Sequence, residues 1–221
     1  MFRAVLFDAA GTLIRLAEPV GETYARFARP FDLNLEPGRL QDGFIESFRS
    51  MPAMVFAGES PRRIEEMERA WWRELVGRTL VAATDHPFER FDDYFDRLFR
   101  HFSAADAWRV VPGGHALLVE LRKRHVRTGI VSNFDHRLHG LLEALQLRPL
   151  LDDVVLPSDA GAAKPDPRIF RLALQRLRVP PSEAVYVGDD PKEDLAGARA
   201  AGMAAIDVAS LDGFEDLLGR I

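Results

Sequence analysis

Short runs of β-branched and aromatic residues recur at Arg3 to Asp8, Arg127 to Ser132, Asp153 to Pro157, Ala184 to Asp189 and Ala204 to Val208. Runs apolar on both faces predict buried parallel strands. Helical periodicity fills the gaps between the later runs, at Gly114 to His125, Asp135 to Leu145, Asp166 to Leu177 and Asp190 to Ala201. Two of these begin Asp-Pro (Asp166-Pro167 and Asp190-Pro191), where the carboxylate caps orphan N–H groups and proline suits the first helical position. The alternation predicts an α/β, doubly wound core with a parallel sheet. The stretch from Arg15 to Ala105 instead shows four helical pieces, Val20 to Phe31, Arg39 to Met51, Pro61 to Leu80 and Pro87 to Phe102, and no convincing strand. The expected organisation is therefore an α/β core of residues 1–14 and 106–221 interrupted by a helical insert, residues 15–105.

Composition narrows the classes. The chain has 221 residues, 47% hydrophobic and 29% charged, values of a folded globular protein that exclude a disordered or fibrous one. A formal charge of −5 argues against a protein built to grip nucleic acid or anionic lipid. With no cysteine, disulfides, thiolate metal sites and cysteine nucleophiles are excluded. No apolar run approaches the roughly 20 residues that span a bilayer, and Asp8 breaks the N-terminal apolar run too early for a secretory leader. A cytoplasmic protein with no membrane contact is expected.

Ligands in open parallel sheets bind beyond the carboxyl ends of the strands, so the residues just after each run matter most. They are Asp8-Ala9-Ala10-Gly11-Thr12-Leu13, Ser132-Asn133 and Gly188-Asp189-Asp190, with Lys164-Pro165-Asp166 opening a helix between the last two. Carboxylates at neighbouring strand ends repel unless a cation lies between them, and hard oxygen ligands suit Mg²⁺. A lysine beside Asp8 keeps that carboxylate ionised, while Ser132 and the N–H groups opening the following helix are placed to hold an anion's oxygens. Aspartate, Mg²⁺, lysine and serine together describe a phosphoryl-transfer site with a carboxylate nucleophile.

In order and spacing, Asp8 to Leu13, Ser132-Asn133, Lys164-Pro165-Asp166 and Gly188-Asp189-Asp190 with Asp194 resemble the four motifs of the haloacid dehalogenase superfamily. The strings Ile130 to Asp135 and Lys164 to Phe170, with Val20 to Ala25 and Trp71-Trp72 in the insert, resemble one subfamily, that of haloacid dehalogenase-like hydrolase domain-containing protein 3. The resemblance implies a Rossmann-like core with a helical C1 cap. It makes Asp8 the nucleophile and a metal ligand, the Ala10 carbonyl a second ligand and Asp189 a third. Ser132, Asn133 and Lys164 would bind the phosphoryl group of a small phosphorylated molecule. Asp194 or Asp190 would complete the acidic fourth motif, as metal ligand or as partner of Lys164, in a monomer or homodimer.

The pattern departs from the family at one position. Phosphatases of the superfamily carry a second aspartate two residues after the nucleophile, which protonates the leaving alkoxide and later activates water; here that residue is Ala10. Losing a general acid or base costs about 10²–10⁴ in rate, so good leaving groups suffer least. Phosphonatases of the superfamily also have alanine there but use a cap lysine, and the only lysines here are Lys123, Lys164 and Lys192, none in the insert. Metal-independent dehalogenases have an aromatic residue where this chain has Ala10. Two alternatives therefore stand beside a phosphatase: a catalytically impaired binding protein and a 2-haloacid dehalogenase.

Other features have simpler readings. Asp190 before Pro191 is expected first as a helix cap. Thr12 is expected to bond the loop or Asp8. The six histidines show no zinc spacing, His136 and His139 included. Trp71-Trp72 and the Phe-rich segment Phe88 to Phe102 are expected as core of the insert, and Ala57-Gly58-Glu59-Ser60 as a loop available for recognition.

Overall fold

The computed structural model describes residues 2–84 and 88–221, so the expectations placed on His86 and on a helix start at Pro87 lie outside the described residues. The predicted strands form, each within a residue or two of its expected ends: β1 (Ala4–Phe7), β4 (Arg127–Val131), β5 (Asp153–Val155), β6 (Ala184–Gly188) and β7 (Ala204–Asp207). They make one parallel sheet in the order β5-β4-β1-β6-β7. Two further strands, β2 (Ile14–Leu16) and β3 (Trp108–Val110), pair as a separate two-stranded sheet. Each has only three residues, too short for an alternating pattern to register.

Side chains of β1 alternate across the sheet as its pleat requires. Leu6 pairs in register with Gly129 and Tyr186, and its face packs with Ile169, Phe170, Ala173, Leu174 and Leu177 of α8 (Pro167–Leu177) and Ala198 of α9 (Gly197–Ala200). Helices α5 (Gly114–Lys123), α6 (Arg137–Ala144), α7 (Pro157–Ala160) and α10 (Phe214–Arg220) complete the α/β unit. Phe170 is fully buried, with its ring edge-on to Tyr186 at 5.0 Å. Phe170→Ala is expected to cost about 3–5 kcal/mol of stability, through lost burial and the cavity left behind. Urea unfolding measures it.

Between β1 and β3 the insert is helical: α1 (Val20–Ala28), α2 (Pro37–Ser50), α3 (Pro61–Ala83) and α4 (Phe91–Phe102). Apolar residues at helical spacing form its own core, including Tyr24 and Ala28, Val76 and Leu80, Tyr94, Phe95 and Leu98. Trp72, Phe91 and Phe99 pack against that core, in keeping with the structural reading of the aromatic segment. Trp71 lies half-buried and donates its indole N–H to the Pro52 carbonyl at 2.8 Å.

Two compact units result. One comprises Met1–Arg15, Met54–Glu59 and Arg109–Ile221; the other comprises Leu16–Ala53 and Ser60–Trp108. The segment Met54–Glu59, which connects α2 to α3 in the chain, groups with the α/β unit. There the Phe56 N–H donates to the Ser158 hydroxyl at 3.1 Å, and Gly161 lies close beneath Ala57. Ser158 follows β5 by three residues, so this segment lies at the carboxyl end of the sheet.

Candidate active site

Asp8, Ser132 and Asp189 each follow the last residue of a strand, on the adjacent strands β1, β4 and β6. The parallel register therefore brings their side chains to one edge of the sheet. Asp8, Ser132, Lys164 and Asp194 are all buried, whereas Asp189 is exposed. The Lys164 ammonium donates to Asp8 Oδ1 at 2.7 Å, to Asp194 Oδ1 at 2.5 Å and to the Tyr186 hydroxyl at 3.2 Å. Its three N–H groups thus match three oxygens.

Asp194 is fully engaged on its other side, where Oδ2 accepts the backbone N–H groups of Asp189 and Asp190, both at 3.1 Å. This tie coincides with a departure from the expected helix. Residues Pro191–Ala196 form a π-turn rather than an α-helix, with the Leu195 N–H reaching the Asp190 carbonyl five residues back. Such turns add a residue to the coil and re-aim side chains, often at functional sites. Asp190 serves as the expected cap, its Oδ1 accepting the N–H groups of Lys192 at 2.8 Å and Glu193 at 2.7 Å.

Two glycines make the space. A Cβ on Gly188 would overlap the Asp194 carboxylate, and one on Gly11, whose φ is +100°, would stand 2.8 Å from Asp189 Cγ. Gly11 sits in the turn after β1, where its N–H bonds the Ile14 carbonyl and where only glycine is relaxed at that φ. Thr12 is buried and reaches Asp189 Oδ1 at 3.5 Å, rather than Asp8. Ala10, two residues after Asp8, is exposed.

Asn133 braces the lysine loop. Its Oδ1 accepts the Lys164 N–H at 2.8 Å, and its Nδ2 donates to the Lys164 carbonyl at 3.1 Å and to Glu193 Oε2 at 3.0 Å. The N–H groups opening α6 are less open to an anion than the sequence implied, because the Arg137 N–H already donates to Asp135 at 2.8 Å.

The carboxylates of the site bear on one another's charge. Burial pushes the Asp8 carboxyl above the ordinary carboxylate range; Lys164 and a bond from Ser132 pull it back, and the Asp194 charge adds to the rise. Asp189 is raised by partial burial and then by Asp8 and Asp194. Burial pulls Lys164 down, but Asp8 and Asp194 outweigh it and hold the ammonium above its usual value. Among the described residues, Asp8, Asp189 and Asp194 are the group placed for a metal, with one oxygen from each within 4.8 Å of the others. Three carboxylates around one ammonium leave two negative charges uncompensated, which fits a hard divalent cation. The His136 and His139 rings, 5.9 Å apart, are not part of this group.

Two members of the site escape sequence reasoning. Tyr186, buried at the centre of β6, donates its hydroxyl to the Val131 carbonyl at 2.7 Å and backs the Lys164 ammonium; burial raises its pKa well above the ordinary phenol value. A tyrosine in an otherwise apolar strand was the available signal, since a buried hydroxyl needs a partner. Glu193, raised chiefly by burial, joins the site through its bond from Asn133.

Comparisons with known proteins agree with this arrangement. Residues 2–202 match the haloacid dehalogenase-like hydrolases. The chain is 36% identical over 201 residues to haloacid dehalogenase-like hydrolase domain-containing protein 3 of Homo sapiens, covering 91% of this chain and 79% of that protein. Among solved structures it is similar to a HAD phosphatase from Thermococcus onnurineus, with a TM-score of 0.62, 25% identity and coverage of 93% and 85%. A dehalogenase structure superposes at a TM-score of 0.70 and 21% identity, over 100% of this chain and 97% of that one, a likeness of fold.

Proposed function

Since the chain belongs to the haloacid dehalogenase-like hydrolase family, we propose that it is a magnesium-dependent hydrolase that takes the phosphoryl group of a small phosphorylated metabolite onto Asp8 and passes it to water. The observation that carries this reading is the buried ion pair of Lys164 with Asp8, 2.7 Å apart, set beside Asp189 and Asp194. Lys164 keeps Asp8 ionised and oriented, and its charge offsets the negative charge of an approaching phosphoryl group. Ser132, buried and one residue beyond β4, would hold a phosphoryl oxygen. Asn133 fixes the backbone on which Lys164 sits.

The carboxylates of Asp8 and Asp189 and the carbonyl of Ala10 would hold Mg²⁺, with Asp194 tied to Lys164 behind them. Bound there, the ion supplies positive charge against the transferring phosphoryl oxygens. The reading is tested by hydrolysis of p-nitrophenyl phosphate with Mg²⁺ and with EDTA. Turnover that requires the metal supports it; turnover indifferent to EDTA contradicts it.

Metal binding also predicts a pH dependence. Asp8 and Asp189 have raised folded-state values, so in the metal-free protein their ionisation costs stability as pH rises from the unfolded value of 3.8 through the raised ones. A cation competes with those protons, so its stabilisation grows with pH. At a hundredfold Kd the gain is about 2.7 kcal/mol, or roughly 5–10 °C in Tm for a chain of this size. The Mg²⁺-dependent rise in Tm is expected to be larger at pH 7.5 than at pH 5, and calorimetry against EDTA controls checks it.

One observation favours a second reading. Ala10 occupies the position at which the family resemblance implies an acid for alkyl phosphates, which would suit a protein that binds a phosphorylated ligand without consuming it. Phosphate-competable binding of such a ligand without any p-nitrophenyl phosphate turnover identifies that case.

A further inference from the structure

Resting on the phosphoryl-transfer reading, we infer that this chain acts on donors whose leaving group departs as a weakly basic anion, of which acyl phosphates are the type, rather than on alkyl phosphates. The inference comes from where the protons of the site are committed. Lys164 spends its three N–H groups on Asp8, Asp194 and Tyr186. The Tyr186 proton goes to the Val131 carbonyl. Asp194 receives bonds on both oxygens, from Lys164 on one and from the Asp189 and Asp190 N–H groups on the other. Asp190 caps its own helix turn, and Thr12 bears on Asp189. Glu193 is tied to Asn133, whose remaining bonds go to the Lys164 backbone. Two residues after Asp8, among the described residues of the α/β unit, the exposed side chain is the methyl of Ala10, which carries no proton to give.

The chemistry follows from that inventory. An Asp8 oxygen attacks phosphorus, the bond from phosphorus to the leaving oxygen breaks, and both its electrons stay on that oxygen. With no proton delivered, an alkoxide is a poor leaving group, whereas a carboxylate is stable as it departs. In the second step a water oxygen bonds to phosphorus and the bond to Asp8 breaks, returning its electrons to the Asp8 carboxylate. The water proton passes to the phosphate product or to solvent. That leaving group is itself a carboxylate, so the second step needs no acid either. Only the first step discriminates among substrates, and it does so by the basicity of what leaves.

The test is kcat/KM with Mg²⁺ for acetyl phosphate, p-nitrophenyl phosphate, phenyl phosphate and glycerol phosphate, on the wild-type chain and on Ala10→Asp, Glu193→Gln and Asp8→Asn. The wild type is expected to lose kcat/KM steadily as the basicity of the leaving group rises from acetyl phosphate to glycerol phosphate. Ala10→Asp, at an exposed site, should raise glycerol phosphate turnover by about 10²–10⁴ and flatten the series. Glu193→Gln should keep the steep slope. Glycerol phosphate consumed within a few-fold of acetyl phosphate by the wild type overturns the inference, as does a shallow slope that Glu193→Gln makes steep. Absence of any Asp8-dependent turnover, acetyl phosphate included, would instead remove the phosphoryl-transfer reading beneath it.

Discussion

Replacing Asp8 with asparagine is expected to abolish turnover while the fold survives. Asparagine keeps the shape of the side chain but is a far weaker nucleophile, and losing a nucleophile typically costs at least about 10³-fold in kcat. The fold should tolerate the change because burial already disfavours the charged form of Asp8. Neutralising it leaves Lys164 with Asp194 and Tyr186. Activity against p-nitrophenyl phosphate should fall to background, with Tm within a few degrees of the wild type. A variant that still turns over at more than a few per cent of the wild-type rate would place the nucleophile elsewhere.

Lys164→Met should damage both activity and stability. The ammonium is buried, and removing one partner of a buried ion pair strands the other charges. Asp8 and Asp194 would then face each other without compensation, a loss of about 3–5 kcal/mol at neutral pH. The sign of the pH dependence identifies the cause. The folded-state value of Lys164 is raised, so its contribution is fully present below the unfolded value of 10.5 and lost only above the folded one. In the variant Asp8, already held above the ordinary carboxylate range by burial, takes up a proton as pH falls, and the penalty shrinks. Urea unfolding at pH 7.5 and pH 5 should show the gap to wild type narrowing at the lower pH. A gap unchanged between the two would mean that lost packing, not lost charge, accounts for it. Activity should fall at least about 10²-fold, as a buried charge aimed at the reacting group is lost.

How much of this was legible in the sequence depended on the range of the interactions involved. The five strands of the parallel sheet announced themselves because burial on both faces demands continuous apolar runs, and the Asp166 and Asp190 caps were local and therefore readable. The order of Asp8, Ser132, Lys164 and Asp189 along the chain carried the site's membership. Its geometry was another matter. The π-turn of Pro191–Ala196 coincides with bonds to Asp194 from Lys164 and two N–H groups, contacts that periodicity does not encode. Tyr186 counted as one more strand residue until register set its hydroxyl behind Lys164. Met54–Glu59 lies within the expected insert and overlaps the expected loop Ala57-Gly58-Glu59-Ser60, yet it groups with the α/β unit, where Phe56 bonds Ser158, 102 residues further on. Strands of three residues, β2 and β3, gave no pattern to read.

The central claim is the covalent intermediate on Asp8, and trapping it is the most direct test. Enzyme mixed with Mg²⁺ and ³²P-labelled acetyl phosphate, quenched in acid within the first turnovers and digested, should carry label in the peptide containing Asp8. Hydroxylamine should release that label, as it does from an acyl phosphate, and Asp8→Asn should acquire none. Product formed at the wild-type rate with no label on the chain, or with label on a peptide lacking Asp8, would contradict the account.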